Sequence, residues 1–449
     1  MSIFRAYDIR GVYGKDLTRK DAENIGKAFG SSLGGKGTVC VGRDIRLSSP
    51  KLSESLIKGI TSTGASVIDV GAVPTPLLYY AVYTLPASGG VMVTGSHNPP
   101  EYNGFKLLKG KDTLYGPHIQ ELARAIDAGE FLKGAGACER RDVTEDYINY
   151  VSDRIRPARK VKIVVDCGNG SGGPVAQKLY AKLGCDVIPL YCEPDGSFPN
   201  HHPDPTVDEY LKDLRETVRK TRADFGLGFD GDADRAGFIA DDGGIIRGDQ
   251  ALAIFSRDTL ARKAGAKIIS EVKSSQGLFE DIKAHGGIPI MYKTGHSFIK
   301  KKLKEEDALL AGEMSGHFFF RENYFGFDDA IYAGAKMIEI VSKYRAPLSR
   351  TLKTLPRYVS TPEIRVECPD EAKFEIVAEV TRAFQAQGYD VATIDGARIN
   401  FKEGWGLVRA SNTQPALILR FEAKTKKELD KIRELILSEV RKHPEAKVS

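Results

Sequence analysis

The 449-residue chain lacks any apolar run approaching the roughly 20 residues that a membrane-spanning helix needs, so no membrane association is expected. Its first residues, Met1 to Arg5, show no basic patch followed by an apolar stretch; no secretory signal is expected, and a cytoplasmic location is. Charge of one sign is also missing. The 65 Lys and Arg against 60 Asp and Glu leave +5, too little for a nucleic-acid surface and better suited to a small anionic ligand. Cysteine is sparse, and Cys40, Cys138, Cys167, Cys185, Cys192 and Cys368 form no Cys-x-x-Cys pair. That argues against a zinc site or a disulfide framework and leaves reduced, packed thiols. Low-complexity segments and long flexible linkers are absent as well. Glycine, by contrast, is abundant: the 46 copies cluster beside short apolar runs, where loops can bring backbone close to a ligand.

A strand, a Gly- or Ser-rich turn, an amphipathic helix and a second strand recur three times, each over about 30 residues, the length of a βαβ unit. The first copy runs from Val39 to Val70, the second from Val161 to Leu190 and the third from Lys267 to Tyr292. Their strand runs are short and nearly continuous in apolar residues, as in sheets covered by helices on both faces. Past Thr361 the order becomes strand, helix from Glu371 to Gln387, strands around Val391, Leu407 and Ala416 to Phe421, and a charged helix from Lys426 to Val440. This predicts three related α/β domains and a smaller C-terminal α+β domain, with boundaries at 1–152, 153–250, 251–360 and 361–449. Thr206 and Glu209 read as a capping box before a buried stripe of Leu211, Leu214 and Val218.

Asp230-Gly-Asp232-Ala-Asp234-Arg235 is the sharpest local signal, because three alternating carboxylates converge only on something strongly positive. Hard oxygen ligands suit Mg2+ or Ca2+; the bland alternative is a solvated acidic turn. An EF-hand fails, since Arg235 stands where Gly is needed and Phe225 to Phe229 reads as a strand. Thr94-Gly-Ser96-His97-Asn98-Pro99-Pro100 follows an apolar run and is either a displayed nucleophile or a surface turn. Lys106 lies ten residues beyond Ser96, within reach of that loop.

Gly312-Glu313-Met-Ser315-Gly-His317 offers a carboxylate, a hydroxyl and an imidazole for a polyol, and Arg409-Ala-Ser411-Asn412-Thr413 is donor-rich, suited to a phosphate dianion or to a polar turn. His201-His202 reads as a structured loop more than a chelate. Gly30 to Gly37 resembles a Walker A loop but has Gly37 where Ser or Thr should stand. Gly168 to Gly173 matches Gly-x-Gly-x-x-Gly after a strand, with Glu193 downstream, which supports a rival nicotinamide-dependent oxidoreductase.

Taken together and in order, the loops at Ser96, at Asp230 to Arg235, at Glu313 to His317 and at Arg409 to Thr413 resemble the four active-site loops of the α-D-phosphohexomutases. The resemblance spans essentially the whole chain, including Phe4 to Arg10 and Phe198 to Asp204, and is strongest to the phosphomannomutase/phosphoglucomutase branch. It departs at Gly95, often Ala, and at the variable Gln414.

The resemblance implies four domains around a central cleft and an isomerase that interconverts hexose 1- and 6-phosphates through a hexose 1,6-bisphosphate. It further implies that Ser96 is the phosphoserine and that one Mg2+ is held by Asp230, Asp232, Asp234 and a phosphate oxygen on Ser96. Arg235 would support the transferring charge. Glu313 and Ser315 would bind sugar hydroxyls, assisted by His317, and Arg409, Ser411, Asn412 and Thr413 would clamp the other phosphate. Tyr7, Arg10, Lys273 and His296 fall on family positions; Arg10, His97, Lys106 and His296 are candidates for proton transfer or charge support. Dual use of glucose and mannose is expected, with a phosphoglucosamine mutase or a non-catalytic sugar-phosphate binder as alternatives.

Overall fold

In a computed structural model of the chain, residues 3–4, 8–344, 346–411 and 415–448 are described. They divide into two compact units, one of Met1–Ala251 with Ser315–Lys353, the other of Leu252–Met314 with Thr354–Ser449.

The first unit contains two sheets. In the N-terminal one the strands lie in the order Ile9–Val12, Tyr102–Lys109, Gly89–Val93, Thr38–Arg43, Ser66–Ala72 and Cys138–Arg140. Thr38–Arg43 runs parallel to both Ser66–Ala72 and Gly89–Val93, as the βαβ reading requires, and Tyr102–Lys109 returns antiparallel. Helices Arg19–Ser32 and Ser49–Thr61 contribute buried Ile25, Phe29, Leu52 and Leu56 to the same core as strand residues Val39, Val41 and Val91. The second sheet has the order Ile245–Ile246, Ala236–Ala240, Phe225–Phe229, Lys162–Asp166 and Asp186–Leu190. Its two central strands are parallel, whereas Phe225–Phe229 and Ala236–Ala240 form an antiparallel hairpin whose connection is the acidic loop.

In the second unit, Lys267–Glu271 pairs in parallel with Ile288–Tyr292 and Leu310–Gly312. Among the described residues the C-terminal sheet is antiparallel, with Ala416–Ala423 between Ile364–Glu367 and Gly404–Ala410, then Ala397–Phe401 and Asp390–Ala392. Helices Lys373–Ala386 and Lys426–Val440 supply Ile376, Val380, Phe384, Leu429, Ile432 and Ile436 to its core. The fold class is thus three α/β regions and a C-terminal α+β region, as expected.

One local expectation is corrected. Thr206 does not cap a helix through Glu209: its backbone N–H and hydroxyl both go to Asp204 Oδ1, at 3.0 and 2.7 Å. The chain then enters a 3-10 turn at Asp208–Leu211 before the helix Lys212–Thr221. Asp204, two residues upstream, takes the Thr206 N–H that the Glu209 side chain would have accepted in a capping box. The stripe itself is buried, with Leu211, Leu214 and Val218 in one cluster. Cys167 and Cys192 are buried free thiols whose sulfurs lie 2.9 Å apart, while Cys138 is exposed. Among the described residues no helix is long and apolar enough to cross a membrane.

Candidate active site

The strand Gly89–Val93 is buried along its whole length and delivers Thr94-Gly95-Ser96 at its C-terminal end. Thr94 Oγ1 accepts the Ser96 N–H at 2.8 Å and Asp44 Oδ2 accepts that of Gly95 at 3.0 Å. Ser96 sits at φ +49°, a left-handed conformation that costs a non-glycine residue on the order of 1–3 kcal/mol and persists only when its surroundings over-determine it. Its hydroxyl donates to Asp230 Oδ2 at 2.9 Å and lies 3.2 Å from His97 Nδ1. Burial, then the nearby Arg235 and Arg10 cations, holds His97 well below the usual imidazole range, so the ring is neutral.

The acidic loop is folded tightly around its own first residue: Asp230 Oδ1 accepts the N–H groups of Asp234 and Arg235 at 3.1 and 3.2 Å. Thr75 pins Asp232, its hydroxyl donating to Oδ2 at 2.6 Å and its N–H to the Asp232 carbonyl at 2.9 Å. Gly231 is required by contact, because a Cβ there would lie 2.6 Å from the Ser96 carbonyl oxygen. The Gly-rich turn serves the same loop: Ser171 N–H and Oγ donate to the Gly231 carbonyl at 3.0 and 3.1 Å, and a Cβ at Gly170 would stand 2.8 Å from it. Those glycines hold the acidic loop, so the feature that favoured a dinucleotide site is used in packing.

Asp230, Asp232 and Asp234 are completely buried and present oxygens within 4.8 Å of one another. Lys106 Nζ, on the strand Tyr102–Lys109, lies 2.6 Å from Asp232 Oδ2 and 2.5 Å from Asp234 Oδ2. Burial works against its charge, but Asp232 and Asp234 more than offset it and raise the ammonium above the usual range. Burial, then the charges of Asp232 and Asp234, pushes Asp230 well above the usual carboxyl range. Asp234 goes the other way: burial opposes ionisation, yet Lys106 and His317 hold it well below. Among the described residues, Asp232 Oδ1 is buried and accepts no hydrogen bond, and Asp234 Oδ1 is buried with His317 Nε2 3.4 Å away. A buried carboxylate oxygen left without a donor fits a hard, oxygen-seeking cation.

Around this centre, His317 Nε2 lies 3.3 Å from Arg235 Nε and 3.4 Å from Asp234 Oδ1, and Ser315 Oγ lies 3.0 Å from His317 Nδ1. Arg10 Nη1 donates to Asn98 Oδ1 at 2.9 Å and Nη2 to Asp8 at 2.5 Å. His202 Nε2 reaches the His97 carbonyl, while His201 Nε2 lies 3.0 Å from both oxygens of Asp166. The two histidines serve separate partners, as expected of a structured loop.

The second unit gathers another set. Lys273, just past the strand Lys267–Glu271, is 3.2 Å from Glu363 Oε2 and 3.6 Å from Glu271 Oε2. Burial lowers its pKa, but Glu271 and Glu363 raise it further, so it stays charged. Glu271 also accepts from Thr294 Oγ1 at 2.5 Å and from Met314 N–H at 2.8 Å. Glu313 Oε1 accepts from Gly295 N–H at 2.6 Å, and His296 opens the helix His296–Glu305 immediately after it. Arg409 Nε lies 3.2 Å from Asp395 Oδ2, and Lys373 Nζ donates to the Ser411 carbonyl at 2.6 Å.

The expected residues therefore fall into two groups: Ser96, His97, Lys106, Arg10, Asp230, Asp232, Asp234, Arg235, Ser315 and His317 in the first unit; Lys273, His296, Glu313, Arg409 and Ser411 in the second. Tyr7, Asn412 and Thr413 lie outside the described residues. Asp44, Arg46, Thr75, Glu271, Glu363 and Asp395 were not anticipated. For Asp44 and Arg46 a signal existed: charged residues directly after an apolar parallel strand stand where α/β sheets place their ligand loops.

Four consecutive family models match the chain: phosphoglucomutase/phosphomannomutase alpha/beta/alpha domain I over residues 1–133, domain II over 145–244, domain III over 247–358 and the C-terminal domain over 363–439. The phosphomannomutase/phosphoglucomutase of Pseudomonas aeruginosa PAO1 is 49% identical over 442 residues, covering 98% of this chain and 96% of that protein. A Neisseria gonorrhoeae phosphoglucomutase is 46% identical over 448 residues, covering 98% and 97%. The crystal structure of a phosphoglucomutase/phosphomannomutase family protein from Burkholderia thailandensis superposes with a TM-score of 0.93 at 42% identity, over 99% of each chain. The chain belongs to the phosphoglucomutase/phosphomannomutase family of α-D-phosphohexomutases. It is accordingly an isomerase, a phosphohexomutase.

Proposed function

We propose that this phosphohexomutase interconverts the 1- and 6-phosphates of glucose and mannose, with Ser96 as the phosphoryl carrier, one Mg2+ in the acidic loop and a hexose 1,6-bisphosphate as the intermediate. The observation that carries the reading is the Ser96 hydroxyl, 2.9 Å from Asp230 and backed by two further buried carboxylates, of which Asp232 keeps an oxygen that accepts no hydrogen bond. Asp230, Asp232 and Asp234 would hold the ion, together with a phosphate oxygen on Ser96. When bound it neutralises charge on the transferring phosphoryl group.

The chain's own residues account for the rest. Asp230 aims the Ser96 oxygen, and Lys106, paired with Asp232, and Arg235, at the end of the acidic loop, bring positive charge to that loop. His97, neutral and 3.2 Å from the hydroxyl, can accept a proton; Arg10, Lys106 and His296 remain further candidates for proton transfer or charge support. Glu313 and Ser315, with His317, bind sugar hydroxyls. Arg409 and Ser411, with Asn412 and Thr413, take the phosphate that is not being transferred, and Tyr7 and Lys273 contribute to substrate binding. Domain limits at 152, 250 and 360 and a cytoplasmic setting belong to the same reading.

Phosphorus NMR of mixed α-glucose, α-mannose and α-glucosamine 1-phosphates, with Mg2+ and a trace of glucose 1,6-bisphosphate, tests it. Glucose and mannose 1-phosphates should convert together to 6-phosphates, and Ser96→Ala should abolish conversion by at least about a thousandfold. Turnover of one epimer alone ends dual specificity, preferential loss of the glucosamine signal favours a glucosamine mutase, and an active Ser96→Ala variant removes the phosphoserine.

A further inference from the structure

We propose that Arg46 is the positioning residue of the Ser96 loop, fixing the direction in which the Ser96 oxygen faces; this rests on Ser96 being the phosphoryl carrier. Arg46 follows the strand Thr38–Arg43 and its side chain is fully buried. Its two terminal nitrogens meet four main-chain carbonyls of one loop. Nη2 donates to Ser96 and Asn98 at 2.8 and 2.5 Å, and Nη1 to Pro99 and Tyr102 at 2.5 and 3.1 Å.

Arg46 is held in turn. Its Nε lies 3.2 Å from Asp44 Oδ2, its N–H donates to Asp44 Oδ1 at 3.0 Å, and its guanidinium stands 5.1 Å from the centre of the Phe198 ring. Ser49 Oγ also donates to Asp44, fixing the carboxylate from a second side. Asp44 is the group that accepts the Gly95 N–H. One buried ion pair therefore grips the loop by both polarities: the carboxylate takes the N–H group just before Ser96, and the guanidinium takes the carbonyls from Ser96 onward.

From Thr94 to Glu101 the chain has neither helix nor strand, so no regular ladder can define its course. Ser96 is nonetheless held at φ +49°, which demands an external constraint. A planar guanidinium with donors in a fixed fork can satisfy several carbonyls at set directions; an ammonium is a point charge that cannot. An unpaired buried charge would be costly, so the Asp44 partner and the four carbonyls are what allow the group to sit there. No contact to the Ser96 hydroxyl is made. Arg46 acts on the reaction only through loop geometry, to which in-line transfer is sensitive.

The test is Arg46→Lys, beside the parent and Ser96→Ala. The readouts are melting temperature, kcat and KM for glucose 1-phosphate, and intact-protein mass during exposure to glucose 1,6-bisphosphate. The expected variant is folded and ends with one phosphate per chain, but phosphorylates and turns over about a hundredfold more slowly, with KM changed by less than about threefold. A merely structural role would instead leave part of the protein inert, with low final phosphate and an unchanged rate in the remainder. That outcome, or parental rates, overturns the proposal. If Arg46→Lys does not fold, Asp44→Asn decides by the same readouts: slow but complete phosphorylation supports positioning, and unchanged rates reject it. Phosphate uptake or turnover by Ser96→Ala would sink the phosphoserine reading itself; an inert Ser96→Ala beside a fully active Arg46→Lys sinks only the positioning role.

Discussion

Around Ser96, in the first unit, three buried carboxylates cluster, two of them paired with Lys106, and Asp232 Oδ1 accepts no hydrogen bond. Around Lys273 and Arg409, in the second unit, buried cations already lie within ion-pair distance of Glu271, Glu363 and Asp395. The first arrangement leaves a buried carboxylate oxygen without a donor; in the second each named cation already has a carboxylate partner. Each suits the task proposed for it. A site that accepts a metal must keep acidic oxygens unsatisfied, because burying them is tolerable only if a cation completes the set. A site that binds an exchanging phosphate must hold its cations in place when the ligand has gone, and flanking carboxylates do that at modest cost.

The comparison can be broken first at Gly231. Gly231→Ala places a methyl against the Ser96 carbonyl and should separate the acidic loop from the serine loop, lowering turnover about a hundredfold with KM little changed. Steady-state kinetics would show it; parental turnover would mean that the two loops need not touch. In the second unit a smaller effect on the opposite parameter is expected. Arg409→Lys keeps the charge but loses the planar fork, and should raise KM about tenfold, ~1.4 kcal/mol, with kcat nearly preserved. A large fall in kcat with constant KM would move Arg409 into the transferring end.

The smallest effect on turnover is expected at a third buried acid, Asp329 of the first unit, which caps the helix Ala330–Lys343 and accepts from Tyr147 and Tyr324. Burial raises it from 3.8 to about 6 despite those hydrogen bonds. Because the folded value exceeds the unfolded one, its contribution to stability is complete below about 4 and is lost as pH rises through about 6. The melting temperature of the parent should therefore fall relative to that of Asp329→Asn across this window. A constant difference would show that Asp329 is ionised throughout.

Much of the proposed chemistry was legible along the chain. Ser96 and the Asp230 to Asp234 run could be read because their meaning is local: a hydroxyl on a loop after an apolar strand, and alternating carboxylates that cannot coexist without a cation. The three βαβ copies were legible for a similar reason, since periodicity and turn residues are short-range signals. Thr206 shows the limit even at short range, where Asp204 took the N–H that a capping box would have given to Glu209.

The partners of Asp44, Arg46, Thr75 and Asp395 were not legible, although the place of Asp44 and Arg46 after an apolar strand was. Asp44 and Arg46 precede the loop they hold by about 50 positions, and Thr75 meets a residue 157 positions away. Nothing in a neighbouring stretch of sequence marks such a partner. The Gly168 to Gly173 turn makes the same point in reverse, since its pattern fits a dinucleotide loop and only its packing on Gly231 shows what it is for.

The sequence by itself determined the residue types, the order of the four loops and the alternation of strands and helices, because side-chain chemistry and hydrophobic period act over a few residues. Only the tertiary structure decided which carbonyls Arg46 gathers, which carboxylate oxygen is left without a donor and which cations already have a carboxylate partner. Those depend on distances between segments remote in the chain, and burial, which makes an unpaired charge costly, exists only once the chain has folded.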